Sequence, residues 1–245
     1  MEIVDKVIEL YPVNGFNRTK KLLKIGDKKL RNIILENKLE KNGKVEINFH
    51  NKMFVYTLGL IWADGSLSLK SNTIYIECIE SDMINFKKVL CDVSNWSFYK
   101  RKREYKPTIN AYITDKKFYK ILVENDYLNK SNLSPHKIYS KIPNNIKKYF
   151  LLGLIDGDGC FYYNKKNYNR QFIITGSINQ DWSLFENIFK ELDIKYTIIR
   201  RINKKSGYSQ IRVTNKKDIV KIGDFIYDDM IILNRKYELY KLCIS

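Results

Sequence analysis

Residues 54–63 form an almost unbroken apolar run, Phe-Val-Tyr-Thr-Leu-Gly-Leu-Ile-Trp-Ala, which stops at Asp64-Gly65. A second run fills 149–155 and stops at Asp158-Gly159. Each predicts an apolar helix. Past each run the apolar period drops from helical to two. In the first half, 67–69 and 73–79 predict strands joined by a turn at 70–72, followed by a helix from Ser81 or Asp82. Strands at 96–103 and 108–114, joined by a basic turn at 104–106, and a helix from Asp115 close the unit. The second half repeats the order: helix at 146–156, strands at 160–163 and 171–175 around a basic turn at 164–170, and helix at 181–192. Strands at 196–202 and 209–213 and a helix at 215–226 complete it. The pattern is αββαββα, twice.

The repetition extends to individual residues. Positions 57–65 read Thr-Leu-Gly-Leu-Ile-Trp-Ala-Asp-Gly and 151–159 read Leu-Leu-Gly-Leu-Ile-Asp-Gly-Asp-Gly, aligned without a gap. Tyr-Ile-Thr-Asp-Lys-Lys-Phe from Tyr112 is answered by Arg-Val-Thr-Asn-Lys-Lys-Asp from Arg212. The expected organisation is a helical segment at 1–48, repeats at 53–130 and 145–227, a linker at 131–144 marked by Pro135 and Pro143, and a final helix within 228–245. Before the first repeat, apolar positions 3–10 predict a helix broken over 12–15, a second helix follows Asn17, and a third opens at Asp27 after the Ile25-Gly26 turn. That arrangement resembles a helix-turn-helix DNA reader, with Lys28, Lys29 and Arg31 on its third helix. A plain helical hairpin is the competing reading.

Charge adds a partner. The 44 Lys and Arg outweigh 27 Asp and Glu, and a net charge of +17 spread along 245 residues repels itself unless a polyanion lies against it. Nucleic acid is the commonest such partner. No apolar run approaches the ~20 residues of a membrane span, and the first ten residues mix acid and base instead of forming a leader. An intracellular protein is expected. Four cysteines without a CxxC pair and only two histidines leave little for zinc or His-based catalysis, so any chemistry falls to carboxylates, lysines and a metal ion.

Two features of the twin runs bear on that chemistry. Gly153 and Gly157 lie on one helix face, as do Gly59 and Ala63, so the two helices can pack backbone to backbone on a pseudo-two-fold axis. Each run also ends in an Asp at a helix C-terminus, where the dipole already places negative charge. Two such ends converging would call for a cation, and Mg²⁺ suits a few carboxylates, a backbone carbonyl, waters and phosphate oxygens.

The doubled nine-residue pattern within two αββαββα units resembles the LAGLIDADG homing endonucleases in their single-chain, two-motif form, over about 54–226. The resemblance implies an α+β fold: two pseudo-symmetric repeats, each with a four-stranded antiparallel saddle, meeting at the motif helices. It implies a magnesium-dependent (or manganese-dependent) endonuclease that breaks both strands of a long, asymmetric DNA target, in intron homing. Asp64 and Asp158 would be the metal ligands, with the carbonyls of Ala63 and Gly157 beside them. Trp62 departs from the family's first Asp, which the second copy keeps as Asp156. One of Lys116 and Lys117, and one of Lys216 and Lys217, would stabilise charge on the phosphate, and Glu80 and Asn179 would hold water. Tyr99, Arg101, Arg103, Tyr163, Arg170, Arg200 and Lys204 would face DNA from the saddles. The chain would act as a monomer. Two alternatives remain: a DNA-binding regulator that does not cut, and a maturase acting on intron RNA.

Overall fold

Val45 divides the chain into two separate compact units, Met1–Lys44 and Val45–Ser245. The computed structural model describes residues 2–39, 45–101, 107–202 and 207–245. Arg103, Lys204, the turn at 104–106 and the link at 42–44 therefore lie outside the described residues.

In the first unit α1 (Ile3–Leu23) carries Pro12 inside it and is interrupted at Gly15 alone. Proline removes one hydrogen-bond donor, whereas Gly15 adopts φ 69°, which only glycine takes at little cost. Lys24, in the left-handed region, closes α1, and α2 (Asp27–Glu36) follows. Val7, Leu30 and Ile33 form a small core, with Val4, Tyr11 and Phe16 packed around it.

The second unit opens on α3 (Lys52–Asp64), started by Asn51, whose side chain accepts from the amides of Met53 and Phe54 at 2.8 and 3.1 Å. Then come β1 (Gly65–Leu67), β2 (Thr73–Ile79), α4 (Glu80–Val93), β3 (Ser97–Arg101), β4 (Thr108–Thr114) and α5 (Lys116–Glu124). A short helix α6 (His136–Tyr139) and a 3₁₀ turn at Asn144–Ile146 occupy the expected linker. The order repeats in α7 (Lys147–Asp158), β5 (Gly159–Asn164), β6 (Asn169–Ser177), α8 (Ser183–Glu191), β7 (Thr197–Ile202), β8 (Gly207–Val213) and α9 (Lys216–Ile226), and α10 (Asn234–Ile244) follows. The strands form two antiparallel four-stranded sheets, ordered β1-β2-β4-β3 and β5-β6-β8-β7. This is the expected α+β architecture of twin repeats.

The two apolar helices meet as their small residues require. A Cβ on Gly59 would overlap the Phe150 carbonyl oxygen and lie 2.9 Å from the Leu154 nitrogen. A Cβ on Gly153 would overlap the Tyr56 carbonyl oxygen and lie 2.9 Å from the Leu60 nitrogen. The matching partners put the seam on a pseudo-two-fold axis, in the middle of one continuous core. At the N-terminal end of the seam Asp229 accepts from Lys52 Nζ at 2.5 Å and from the Tyr149 hydroxyl, so one carboxylate ties both helix starts. The bond from Lys52, then that from Tyr149, holds this carboxyl well below the usual range. Negative charge at helix N-termini agrees with the dipole.

The Thr-Asx-Lys-Lys repeat has a local cause as well. Asp115 Oδ1 accepts the Phe118 amide at 2.9 Å and Asn215 Oδ1 the Lys217 amide at 2.8 Å, so each Asx caps a closing helix.

Candidate active site

At the C-terminal end of the seam, Asp64 and Asp158 end α3 and α7 side by side. A Cβ on Gly157 would lie 3.2 Å from Asp64 Oδ2, so one motif helix runs directly against the other's carboxylate. Burial, and after it the charge on Asp158, push the Asp64 carboxyl up to about 6. Asp158 is raised by burial as well.

Two lysines absent from the sequence-based expectations complete this end. Lys130 Nζ donates to the carbonyls of Ile61, Ala63 and Gly65 at 3.1, 2.7 and 2.5 Å. Lys236 Nζ donates to those of Ile155, Gly157 and Gly159 at 2.7, 3.3 and 2.7 Å, and to Asp156 at 2.6 Å. The carbonyl sets correspond position by position. Each ammonium thus satisfies the last carbonyls of a motif helix and opposes its dipole. Lys130 follows the closing helix of the first repeat, whereas Lys236 stands on α10, which gives the C-terminal segment a role the sequence left unread. Burial pulls Lys130 down to about 8 against the raising charges of Asp158 and Asp64. Lys236 is also lowered by burial. The converging negative ends are therefore met partly by built-in cations, and the carboxylates remain raised even so.

Sequence did hold a signal for both lysines. Leu128-Asn129-Lys130 and Leu233-Asn234-Arg235-Lys236 are similar short strings after the two repeats. Arg235, beside Lys236, clamps Asp82 of the first repeat with two hydrogen bonds, Nε to Oδ1 at 2.7 Å and Nη2 to Oδ2. Asp82 is almost fully buried, and its charge raises Asp64. At the matching position in the second repeat stands neutral Gln180, lining a cleft with Asp158, Trp62 and Thr175.

The second asymmetry is Trp62 against Asp156. Trp62 is buried edge-on to Tyr127 at 4.9 Å. Asp156 is buried and accepts from the Tyr56 hydroxyl at 2.7 Å, while its Oδ1 has no partner among the described residues. Burial pushes Asp156 up to about 7, in spite of Tyr56 and Lys236, which lower it.

Lys116 and Lys117 stand exposed in the first turn of α5, and Lys216 Nζ bonds the Ser245 carbonyl at 2.6 Å with Lys217 exposed beside it. Glu80 opens α4 paired with Lys100 at 2.6 Å, and Asn179 is exposed in the turn after β6. The carbonyls of Ala63 and Gly157 each receive a lysine.

Tyr99 and Arg101 are exposed on the open face of the first sheet. Tyr163, Arg170 and Arg200 share strand parity with the buried side of the second. Arg170 lies over the Tyr163 ring at 5.6 Å and donates to the Cys243 carbonyl, and Arg200 donates to the carbonyls of Ile178 and Gln180. In the first unit Lys28 and Lys29 are exposed on α2, and the Arg31 guanidinium lies 5.3 Å over the Phe16 ring.

Of the groups at this end of the seam, the two carboxylates are the ones whose chemistry suits a hard divalent cation. Asp64 and Asp158 are hard oxygen donors of the kind such a cation takes, and burial raises both, with the charge on Asp158 adding to the rise at Asp64. Among the described residues, no group of three or more His, Cys, Asp and Glu side chains is placed to hold a metal. Nor is any described helix long and apolar enough to cross a membrane.

No protein-family model matches the chain, and no curated protein matches its sequence. Solved structures do match. One is the LAGLIDADG meganuclease I-AabMI bound to uncleaved DNA, with TM-score 0.51 and 16% identity over 80% of this chain and 88% of that one. Another is the meganuclease I-SmaMI bound to uncleavable DNA, with TM-score 0.50 and 14% identity over 79% and 90% of the two chains. Mesophilic variants of the homing endonuclease I-DmoI match with TM-score 0.50 and 18% identity, over 73% and 97%. The chain has the LAGLIDADG homing-endonuclease fold, with both motif helices in one polypeptide.

Proposed function

We propose that this chain is a site-specific DNA endonuclease that uses a divalent cation, magnesium or manganese, to break both strands of a long, asymmetric duplex. The observation that carries the reading is the twinned C-terminal end of the seam, where Asp64 and Asp158 stand together and each helix end is capped by a lysine, Lys130 half-buried and Lys236 buried. A metal bound there would polarise a phosphate oxygen and make water a better nucleophile. The chain's own residues do the rest. Asp64 and Asp158 hold the cation. Lys130 and Lys236 keep the helix ends in register and place positive charge beside the phosphates. The two open sheet faces carry the duplex across both carboxylates, in keeping with the +17 charge. The neighbours bound to DNA support this reading.

A second reading, a DNA-binding regulator that does not cut, draws on the first unit, where α1, kinked at Gly15, and α2 form a helix-turn-helix-like arrangement with Lys28 and Lys29 exposed. Duplexes selected by the full chain from a randomised pool, then incubated with it and Mg²⁺, separate the two. Breaks in both strands, lost in Asp64→Asn and in Asp158→Asn, support the endonuclease; tight binding of intact duplexes in every case supports the regulator.

A further inference from the structure

The two sheets share one pairing register, position for position, yet the chemistry of their open faces differs. In the first, register sets Tyr75 opposite Tyr112, Glu77 opposite Asn110, and Tyr99 opposite Asn110 on the other side. Three tyrosines form a ladder, Tyr75 to Tyr112 at 6.0 Å and Tyr99 to Tyr112 at 5.8 Å. The arginine on this face is already engaged: Arg101 Nη1 donates to Glu77 Oε2 at 3.1 Å, and Thr108 donates to Oε1 at 2.7 Å.

In the second sheet, register sets Ile173 opposite Arg212 and Thr175 opposite Gln210, with Thr197 and Ile199 beyond them. Arg212 thus takes the place of Tyr112, Gln210 that of Asn110, and Thr175 that of Glu77. The acid is gone, and none stands on this face among the described residues. Arg212 Nη2 donates to Gln210 Oε1 at 2.6 Å, and Gln210 Nε2 donates to Thr175 Oγ1 at 3.0 Å. The Nε of Arg212 is buried and has no partner among the described residues. Arg212 lies in the row of Cys160, two residues past Asp158, and Thr175 lines the cleft beside that carboxylate.

Resting on the endonuclease reading, we propose that Arg212 is a specificity-determining residue, which reads a guanine in the half-site under the second sheet, near the cut. A guanidinium presents two parallel donors that match guanine N7 and O6 in the major groove. An arginine already braced by Gln210 and Thr175 loses less side-chain freedom on docking than an unbraced one. Tyr112 offers no such fork, and Arg101 is spent on Glu77, so the first sheet leaves no equivalent guanine contact at these two positions.

The test is selection by the full chain, in EDTA to prevent cutting, from duplexes with a randomised central stretch, comparing the native sequence with Arg212→Ala, Arg212→Lys and Thr175→Ala. The native chain is expected to enrich one guanine that Arg212→Ala ceases to enrich, with the rest of the selected sequence kept. Discrimination at that base pair falls roughly ten- to a hundred-fold, Arg212→Lys keeps part of it, and Thr175→Ala lowers it less. Selected sequences that Arg212→Ala leaves unchanged, or weakened equally on every duplex as for a phosphate contact, overturn the assignment while leaving DNA recognition standing. No enrichment by the native chain overturns both the assignment and the reading beneath it. Circular dichroism confirms that each variant is folded.

Discussion

The two repeats share a backbone plan and differ in side chains, and where they agree is informative. They match along the seam and at its end: Gly59 with Gly153, where a Cβ would meet backbone, Asp64 with Asp158, and Lys130 with Lys236 on the helix carbonyls. They part where a partner supplies a different environment: Trp62 against Asp156, Asp82 against Gln180, Tyr112 against Arg212. On the endonuclease reading, the shared set answers to what two strands of one duplex have in common, and the divergent set to what an asymmetric sequence would require.

Breaking the shared set should have the largest effects. With the duplex selected above, Asp64→Asn and Asp158→Asn should each slow double-strand cleavage by roughly a thousand-fold, the loss of about 4 kcal/mol of transition-state stabilisation. DNA affinity, measured by gel shift, should change only a few-fold. Next comes the seam. Gly153→Leu pushes a side chain into the backbone of α3 and should destabilise the second unit by about 3 kcal/mol or more, read as a shifted urea midpoint. Gly59→Leu should do the same, and a clear difference between the two would show that the seam is not symmetric.

The lysines sharpen the comparison. Lys130→Met and Lys236→Met leave buried carbonyls unpaired and should each cost about 2 kcal/mol. Lys236→Met should cost more, because that ammonium holds four carbonyls and Lys130 holds three. Chemical denaturation at pH 7 gives the order.

The smallest effect is a pH dependence carried by the divergent pair. Asp156 holds its proton up to about 7 in the fold, against 3.8 when exposed. The folded chain therefore binds the proton more tightly than the unfolded chain within that window. Its contribution to stability falls as pH rises from about 4 to about 7, and the penalty is complete above 7. Asp156→Asn keeps the acceptor for the Tyr56 hydroxyl and removes the penalty. The melting temperature should rise by a few degrees at pH 8, on the order of 1–2 kcal/mol, and stay unchanged at pH 4. A loss of stability at pH 8 would show that Asp156 is needed as an anion.

Much of this was legible in the sequence, for identifiable reasons. Doubling showed because the seam tolerates few residues besides Gly, Leu and Ile, and the element order showed because helical and alternating periods differ sharply. The signal for Lys130 and Lys236 is faint, a short similar string after each repeat, because their partners are backbone carbonyls that no side-chain pattern marks, and because one follows the closing helix while the other rides on the last helix. The Arg235 to Asp82 clamp joins residues far apart in the chain with no local pattern. Facing on the second saddle was missed for a simpler reason. Strand parity inverts with a slip of one residue, so Tyr163, Arg170 and Arg200 read as outward while Tyr162, Arg201, Gln210 and Arg212 occupy the open side.

The central claim is that Asp64 and Asp158 form one shared cation site at the end of the seam. Calorimetric titration of Mn²⁺ into the complex of the full chain with a selected duplex tests it without relying on cleavage. Binding present in the native complex and lost in both Asp64→Asn and Asp158→Asn is the predicted result; undiminished binding in either variant would contradict it.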